Sequence, residues 1–346
     1  MPGEAAVEAI IGKCSTLTPA EARTFLTDGW VLVKGAFPRG LAAEIVAESW
    51  RELIEDYGID RNDPRTWEDH PYVRTGDQPH VHIMAERGDK AAQAQLAASR
   101  PPKLCDVAPR ALGAILDVVA GNVKDAQALE LPRSLAVNLS TKNSSKNKDG
   151  APGWQPPNAE SPGWHKDGYQ YRHFLDSPEQ GLLLGYFYDE VLPESGGTQI
   201  VPDSIPTVAR FLAQHPEGIH PDIAQGAVLN PLLQAELGTG GRFAELTGEA
   251  GDLAIMHPCT YCMATRPAST AILSYEHGVC RCMVLVMADM MHRTAPNPSG
   301  RARFAQFPGV LLREPMNFGE PEYPPLPPPC FCVCPHTPSF GTRLLP

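Results

Sequence analysis

Residues 163–168 read Gly163-Trp164-His165-Lys166-Asp167-Gly168, and residues 290–303 read Met-Met-His-Arg-Thr-Ala-Pro-Asn-Pro-Ser-Gly-Arg-Ala-Arg. The first stretch supplies His165 and Asp167, the second His292 and, eleven residues later, Arg303. Two imidazoles and one carboxylate form the facial ligand set of a non-haem Fe(II) centre that keeps open coordination positions. An extended chain sends alternate side chains to one face, so His165 and Asp167, two apart, can address one ion. Three protein ligands leave room for a bidentate 2-oxo acid and for O2. The far carboxylate of such an acid needs a cationic partner, and a planar, permanently charged guanidinium suits it. If His292 ends a strand and Pro296–Gly300 turns, Arg303 points back inward from the next strand. Arg301 has the same parity and competes for the role. Thr294 can add a hydroxyl on the face of His292.

Isolated His-x-Asp pairs are common, and a buried His hydrogen-bonded to an Asp is the bland reading of one. His80-Val81-His82 reads as a solvated loop pair. His257, after the Gly251-Asp252 strand, is an alternative ligand on sequence grounds. The combination of His-x-Asp, a distal His and a trailing Arg is far more specific than any of its parts.

Working outward, Thr18-Pro19-Ala20-Glu21 is a helix start, with Thr18 as cap, Pro19 in the first turn and Glu21 closing a capping box. That helix should stop at Gly29, before a strand over Trp30–Lys34. A second helix is expected over about 41–57, with Ile45, Trp50, Leu53 and Ile54 on its apolar side, and a third over 108–120. Strands are expected over 135–139, 182–188 and 303–312, a turn followed by a short strand over 196–202, a turn and strand over 250–256, and a helix over 204–215. Residues 140–162 are poor in apolar side chains and read as a loop leading into the His-x-Asp segment. Helices early and strands late predict an α+β domain whose second half is a β-sandwich or barrel.

The chain has 346 residues and a net charge of −11 with no long basic run, which argues against nucleic-acid binding. No stretch reaches the roughly 18 apolar residues of a membrane helix. The N-terminus lacks a secretion signal, so a cytoplasmic enzyme acting on a small molecule is expected.

These segments resemble the phytanoyl-CoA dioxygenase family of Fe(II)- and 2-oxoglutarate-dependent oxygenases. The likeness is carried by 17–31, 163–168, Gly196-Gly197-Thr198-Gln199-Ile200-Val201-Pro202-Asp203-Ser204, 251–255 and 292–303. It implies a double-stranded β-helix (jelly-roll, cupin-like) core with flanking N-terminal helices. It assigns His165, Asp167 and His292 to iron and Arg303 to the 2-oxoglutarate carboxylate, with ascorbate as an accessory reductant. The implied reaction is hydroxylation of a small-molecule substrate with release of succinate and CO2; the presence of Asp167 favours this over halogenation. Tyr169, Tyr171 and Arg172 follow the motif as candidate pocket residues.

Two regions depart from the family. Asp252 and His292 are forty apart where the family has about ten, and residues 259–288 account for the excess. This segment reads as a translated, retained intron. Cys259-Thr260-Tyr261 can be encoded over a donor-like GTA, and Met287-Ala288-Asp289 over an acceptor-like CAG. It also holds Cys259, Cys262, Cys280 and Cys282, four of the nine cysteines, in a spacing that approximates a four-thiolate zinc site. An interaction module built on that zinc, or a jelly-roll protein whose site the insertion breaks, are the competing expectations. Residues 1–318 are expected to form one domain and 319–346, rich in Pro and Cys, a loose tail.

Overall fold

The structure is a computed structural model. It describes residues 4–68, 80–82, 101–132, 135–140, 154–161, 163–168, 171–179, 181–220, 228–238, 240–257, 291–295 and 297–315, and of residues 6, 80–82, 292 and 294 the backbone alone. The chain divides into two compact units, Met1–Met316 and Asn317–Pro346. The second unit, the insertion at 259–288 with its four cysteines, and Tyr169 lie outside the described residues.

The N-terminal elements follow local sequence rules. Helix α1 spans Glu4–Ile11 and α2 Pro19–Asp28. Thr18 accepts from the Glu21 amide while the Glu21 carboxylate accepts from the Thr18 amide, closing the capping box, and Gly29 ends the helix at φ 72°. Strand β1 (Trp30–Val33) follows at once. Helix α3 covers Arg39–Tyr57 and buries Ala42, Ile45, Ser49, Trp50, Leu53 and Tyr57. Ile54, expected on that stripe, is instead 46% exposed, because it lies about 100° round the helix from Leu53. Helices α4 (Leu104–Val107) and α5 (Pro109–Val118) complete the early helical set.

The remaining strands are β2 (His80–His82), β3 (Ala136–Asn138), β4 (Leu182–Phe187), β5 (Thr198–Val201), β6 (Ala244–Glu245), β7 (Leu253–Met256), β8 (Met291–Thr294), β9 (Arg303–Gln306) and β10 (Gly309–Val310). They form a seven-stranded sheet in the order β1-β7-β4-β9-β3-β2, with β10 also on β4, and a three-stranded sheet in the order β6-β5-β8. Every recorded pairing is antiparallel. The single strand expected over 303–312 is two, β9 and β10, both paired with β4 and separated by Phe307-Pro308; proline offers no ladder donor. The expected loop at His80-Val81-His82 is also corrected: its backbone pairs with Asn138, Val137 and Ala136 as strand β2. A three-residue edge strand carries too little periodicity to be read in advance.

Alternation divides β4 between two environments. Leu183 and Phe187 join Ala254 and Met256 of β7 in a core shared with Ile200, Val201 and Met291 of the smaller sheet and with helix α6 (Ser204–Ala213) and helix α7 (Leu229–Leu237). Tyr186 faces the other way, with its ring 5.7 Å from that of Phe37. Phe304 of β9 meets Trp50 of α3 edge-on at 5.3 Å. The large sheet is therefore covered by the early helices on one face and by the small sheet and α6 on the other. The result is a mixed fold of helices and antiparallel sheet. Helices α1 and α7 were not expected from the sequence.

Candidate metal and 2-oxo acid site

The His-x-Asp segment does not lie in a described strand, a departure from the expected strand geometry, but its side chains still alternate. Trp164 and Lys166 are buried, whereas His165 and Asp167 are partly exposed. Glycines at positive φ bracket the motif, Gly163 at 87° and Gly168 at 108°. At Gly168 a Cβ would stand 2.5 Å from the Tyr171 hydroxyl and 2.7 Å from His173 Cε1, so glycine is required on both conformational and steric grounds.

His165 Nδ1 lies 2.8 Å from the Gly163 carbonyl, the arrangement of an Nδ1–H donor. That leaves Nε2 facing Asp167 Oδ1 at 3.6 Å. Cis ligands held about 2.1 Å from one ion are about 3 Å apart, so the pair needs only a small adjustment to share a metal. Burial pulls the His165 pKa down, but the Asp167 carboxylate and the Gly163 carbonyl outweigh it and leave the imidazole above its ordinary value. Beneath the pair, the buried Lys166 ammonium donates to His173 Nδ1 and to the Asp167 carbonyl. His173 Nε2 is 2.8 Å from the Gly168 carbonyl. Burial, then the Lys166 charge, push the His173 pKa down to about 3, so it accepts from the lysine as a neutral ring.

His292 and Thr294 lie on β8, opposite Ile200 and Thr198 of β5. Strand alternation places positions 292 and 294 on the face of the small sheet that carries Thr198 and Ile200. Among the described residues no group of three His, Cys, Asp or Glu side chains gathers to hold a metal. The described geometry thus brings His165 and Asp167 together and places His292 by backbone register.

Arg303 and Arg301 separate cleanly. Arg301 is exposed and pairs with Asp189 and Glu190. Arg303 is buried, and its Nη1 lies 3.4 Å from Thr198 Oγ1, so the side chain crosses from the large sheet to the small one. Its Nε has no partner among the described residues. Burial pushes its pKa down to about 10, partly offset by the Glu245 carboxylate, and it stays charged at neutral pH. A buried cation with an idle donor fits a site that receives an anion.

The other sequence candidates fall elsewhere. His257 is buried at the end of β7 with its ring 5.7 Å from that of Phe25 in α2. Arg172 is exposed and donates to the carbonyls of Glu217 and Gly218. Tyr171 packs on His173 at 5.0 Å, behind the motif. Four residues that sequence reading did not single out for a role flank these segments: Asn138 beside Arg303 in the large sheet, and Gln199, Glu245 and Arg293 on the face of the small sheet away from position 292. All four are polar residues on strands, and only the cross-strand register reveals their neighbours.

No protein-family model matches the chain, and no curated protein matches it. Among solved structures, the chain is similar to the non-heme alpha ketoglutarate dependent epimerase SnoN from nogalamycin biosynthesis (17% identity, 87% of this chain and 80% of that one, TM-score 0.38). It is also similar to AviO1 from Streptomyces viridochromogenes Tue57 (17% identity, 90% and 99% covered, TM-score 0.40). EctD from S. alaskensis, solved with 2-oxoglutarate and 5-hydroxyectoine, is 13% identical over 85% of this chain and 76% of that one, with a TM-score of 0.39. TM-scores below 0.5 assign neither activity nor substrate.

Proposed function

We propose that this chain is an Fe(II)- and 2-oxoglutarate-dependent dioxygenase of the phytanoyl-CoA dioxygenase type, built on a jelly-roll sandwich, that hydroxylates a small molecule. The observation that carries the proposal is Arg303: a buried guanidinium with an idle Nε, held between the two sheets, eleven residues after His292. Among the chemistries compatible with a His-x-Asp pair, few need a buried cation beside the metal.

In this reading His165, Asp167 and His292 hold the iron, and Arg303 takes the distal carboxylate of 2-oxoglutarate. Thr198 Oγ1, already next to the guanidinium, orients it, and Thr294 lines the same face. When bound, iron and the keto acid supply O2 activation coupled to decarboxylation to succinate and CO2. The Gly163 carbonyl keeps the proton of His165 on Nδ1 and leaves Nε2 for the metal. Leu183, Phe187, Ile200 and Met256 keep the sandwich interior dry, which strengthens the Arg303–carboxylate attraction. The proposal extends over residues 1–318 as one catalytic domain, with 259–288 inserted and 319–346 as a tail.

The test is succinate production by the full-length chain supplied with Fe(II), 2-oxoglutarate and O2. The expected result is substrate-independent turnover above background that Arg303→Ala abolishes. Stoichiometric failure to bind Fe(II), with no succinate at any 2-oxoglutarate concentration, overturns the proposal.

A further inference from the structure

The two segments that carry the proposed ligands meet through side chains that are not ligands. Strand β8 bears His292, and the next residue, Arg293, falls on the opposite face of the small sheet. Arg293 is 5% exposed, and its guanidinium carbon sits 5.4 Å over the ring of Trp164. Trp164 immediately precedes His165. Each ligand therefore has a neighbour in chain that touches the other ligand's neighbour.

That contact is one end of a longer row. Arg293 stands opposite Gln199 of β5, and its Nε donates to Gln199 Oε1 at 2.6 Å. Gln199 in turn stands opposite Glu245 of β6. The row Arg293–Gln199–Glu245 thus crosses all three strands on one face. A second tryptophan closes its far end, where Trp154 Nε1 donates to Glu245 Oε2 at 3.1 Å. The Glu245 carboxylate also accepts from the amides of Glu194 and Gly197, both at 2.8 Å. Trp154 and Trp164 belong to the same irregular stretch, and Trp164 Nε1 ties back within it to the Asn158 carbonyl at 2.9 Å. The segment delivering His165 is laid across the sheet and fastened at both ends, once by hydrogen bond and once by a cation over a ring.

We infer that this polar row, with Arg293 and Trp164 as its decisive pair, is a brace that fixes the separation of the His165 segment from strand β8 and so presets the metal geometry. The inference rests on the iron reading given above. Its physical logic is that a segment outside the named strands, bridged at His165, gains less positional definition from backbone pairing than a full ladder gives, so side-chain contacts add to it. A guanidinium set over an indole and held by a neutral amide is directional in a way that aliphatic packing is not. Arg293 and Trp164 are positioning residues; neither touches the reacting atoms.

The experiment is Mn(II) titration of the full-length chain, read by loss of the free-ion paramagnetic resonance signal, with thermal unfolding measured without metal on the same samples. Wild type, Arg293→Lys, Arg293→Gln, Trp164→Phe, Trp164→Leu and the double variant R293Q/W164L are compared. Supporting residues around metal ligands typically contribute 10- to 100-fold in affinity, so R293Q and W164L should each weaken Mn(II) binding about 10-fold or more. W164F, which keeps a ring under the cation, should bind nearly as wild type. The double variant should lose clearly less than the sum of the two single changes, because the Arg293–Trp164 contact is common to both, while R293Q also loses the bond to Gln199 and W164L the bond to the Asn158 carbonyl. If R293Q does not fold, R293K decides, since it keeps the charge and loses the planar guanidinium. Folded R293Q or R293K that binds Mn(II) as tightly as wild type overturns the brace, even when its unfolding temperature has dropped. A wild-type chain that binds no Mn(II) overturns the iron reading and the brace with it, a different outcome from loss confined to the variants.

Discussion

Asn138 of β3 and Arg303 of β9 stand directly opposite one another, and each keeps a buried polar atom unpartnered among the described residues, Oδ1 on one and Nε on the other. The Asn138 amide nitrogen is already committed, donating to the carbonyls of Gly196 and Ala295 at 3.1 Å. An idle donor and an idle acceptor side by side in an apolar sandwich are costly unless something arrives to meet them. Arg303 supplies charge and a two-point fork. Arg303→Lys keeps the charge and loses the fork, so the KM for 2-oxoglutarate should rise about tenfold or more with kcat changed much less. Steady-state succinate kinetics check this; an unchanged KM removes Arg303 from the carboxylate site.

Asp167 has a different task. It faces His165 Nε2 at 3.6 Å from a partly exposed position, so removing its charge leaves the core intact. Asp167→Ala should fold with a near wild-type circular dichroism spectrum and lose Fe(II) affinity by about 100-fold or more, one of the three proposed ligands being gone. Equilibrium dialysis with metal analysis measures the loss.

Gly168 is fixed by backbone and by neighbours. At φ 108°, an added Cβ would press on Tyr171 and His173. Gly168→Ala should destabilise the protein by about 1–3 kcal/mol, the range for a side chain forced into such a region. Urea denaturation reads the change, and the disturbance should weaken metal binding too, because Asp167 is the adjacent residue.

Phe304 offers a contrast on the opposite face of β9, next to Arg303 but packed on Trp50 of α3. Phe304→Ala removes a buried ring and should cost about 3–5 kcal/mol of stability. At saturating metal and cosubstrate the folded fraction should retain its succinate rate, separating the helix-covered face from the sandwich interior.

Two buried imidazoles give stability a pH dependence. Burial alone pushes His257 down to about 3, and burial with Lys166 does the same to His173. An unfolded chain takes up these protons near pH 6.5 while the folded one does not. Stability from this source is therefore complete above about pH 6.5 and drains away as pH falls toward 3, by up to about 1.4 kcal/mol per pH unit for each ring. Denaturation midpoints at pH 7.5, 6 and 5 should fall in that order, and His257→Gln should flatten the trend.

Much of this was legible in the sequence because local rules dominated. The capping box at Thr18 and Glu21, the stop at Gly29 and the apolar run at 182–187 each need only a few neighbouring residues to be read. The alternation of His165 and Asp167 with Trp164 and Lys166 was equally visible, although the segment lies outside the named strands with a bridge at His165. The choice between Arg301 and Arg303 was not, since both share a parity; the turn held by Asn297, which donates to the Arg301 carbonyl at 2.7 Å, leaves one outside and sends the other in. His80–His82 became a strand only because β3 offered it an edge. Arg293, Gln199 and Glu245 are far apart in sequence, and only the register of β6, β5 and β8 puts them in one row.

The most direct measurement is a crystal structure of the full-length chain with Mn(II) and 2-oxoglutarate. The account predicts one ion about 2.1 Å from His165 Nε2, from an Asp167 oxygen and from the imidazole of His292, with the distal carboxylate of the keto acid on Arg303. An ion held by the cysteines of 259–282, or a His292 ring out of bonding reach of the ion held by His165 and Asp167, contradicts it.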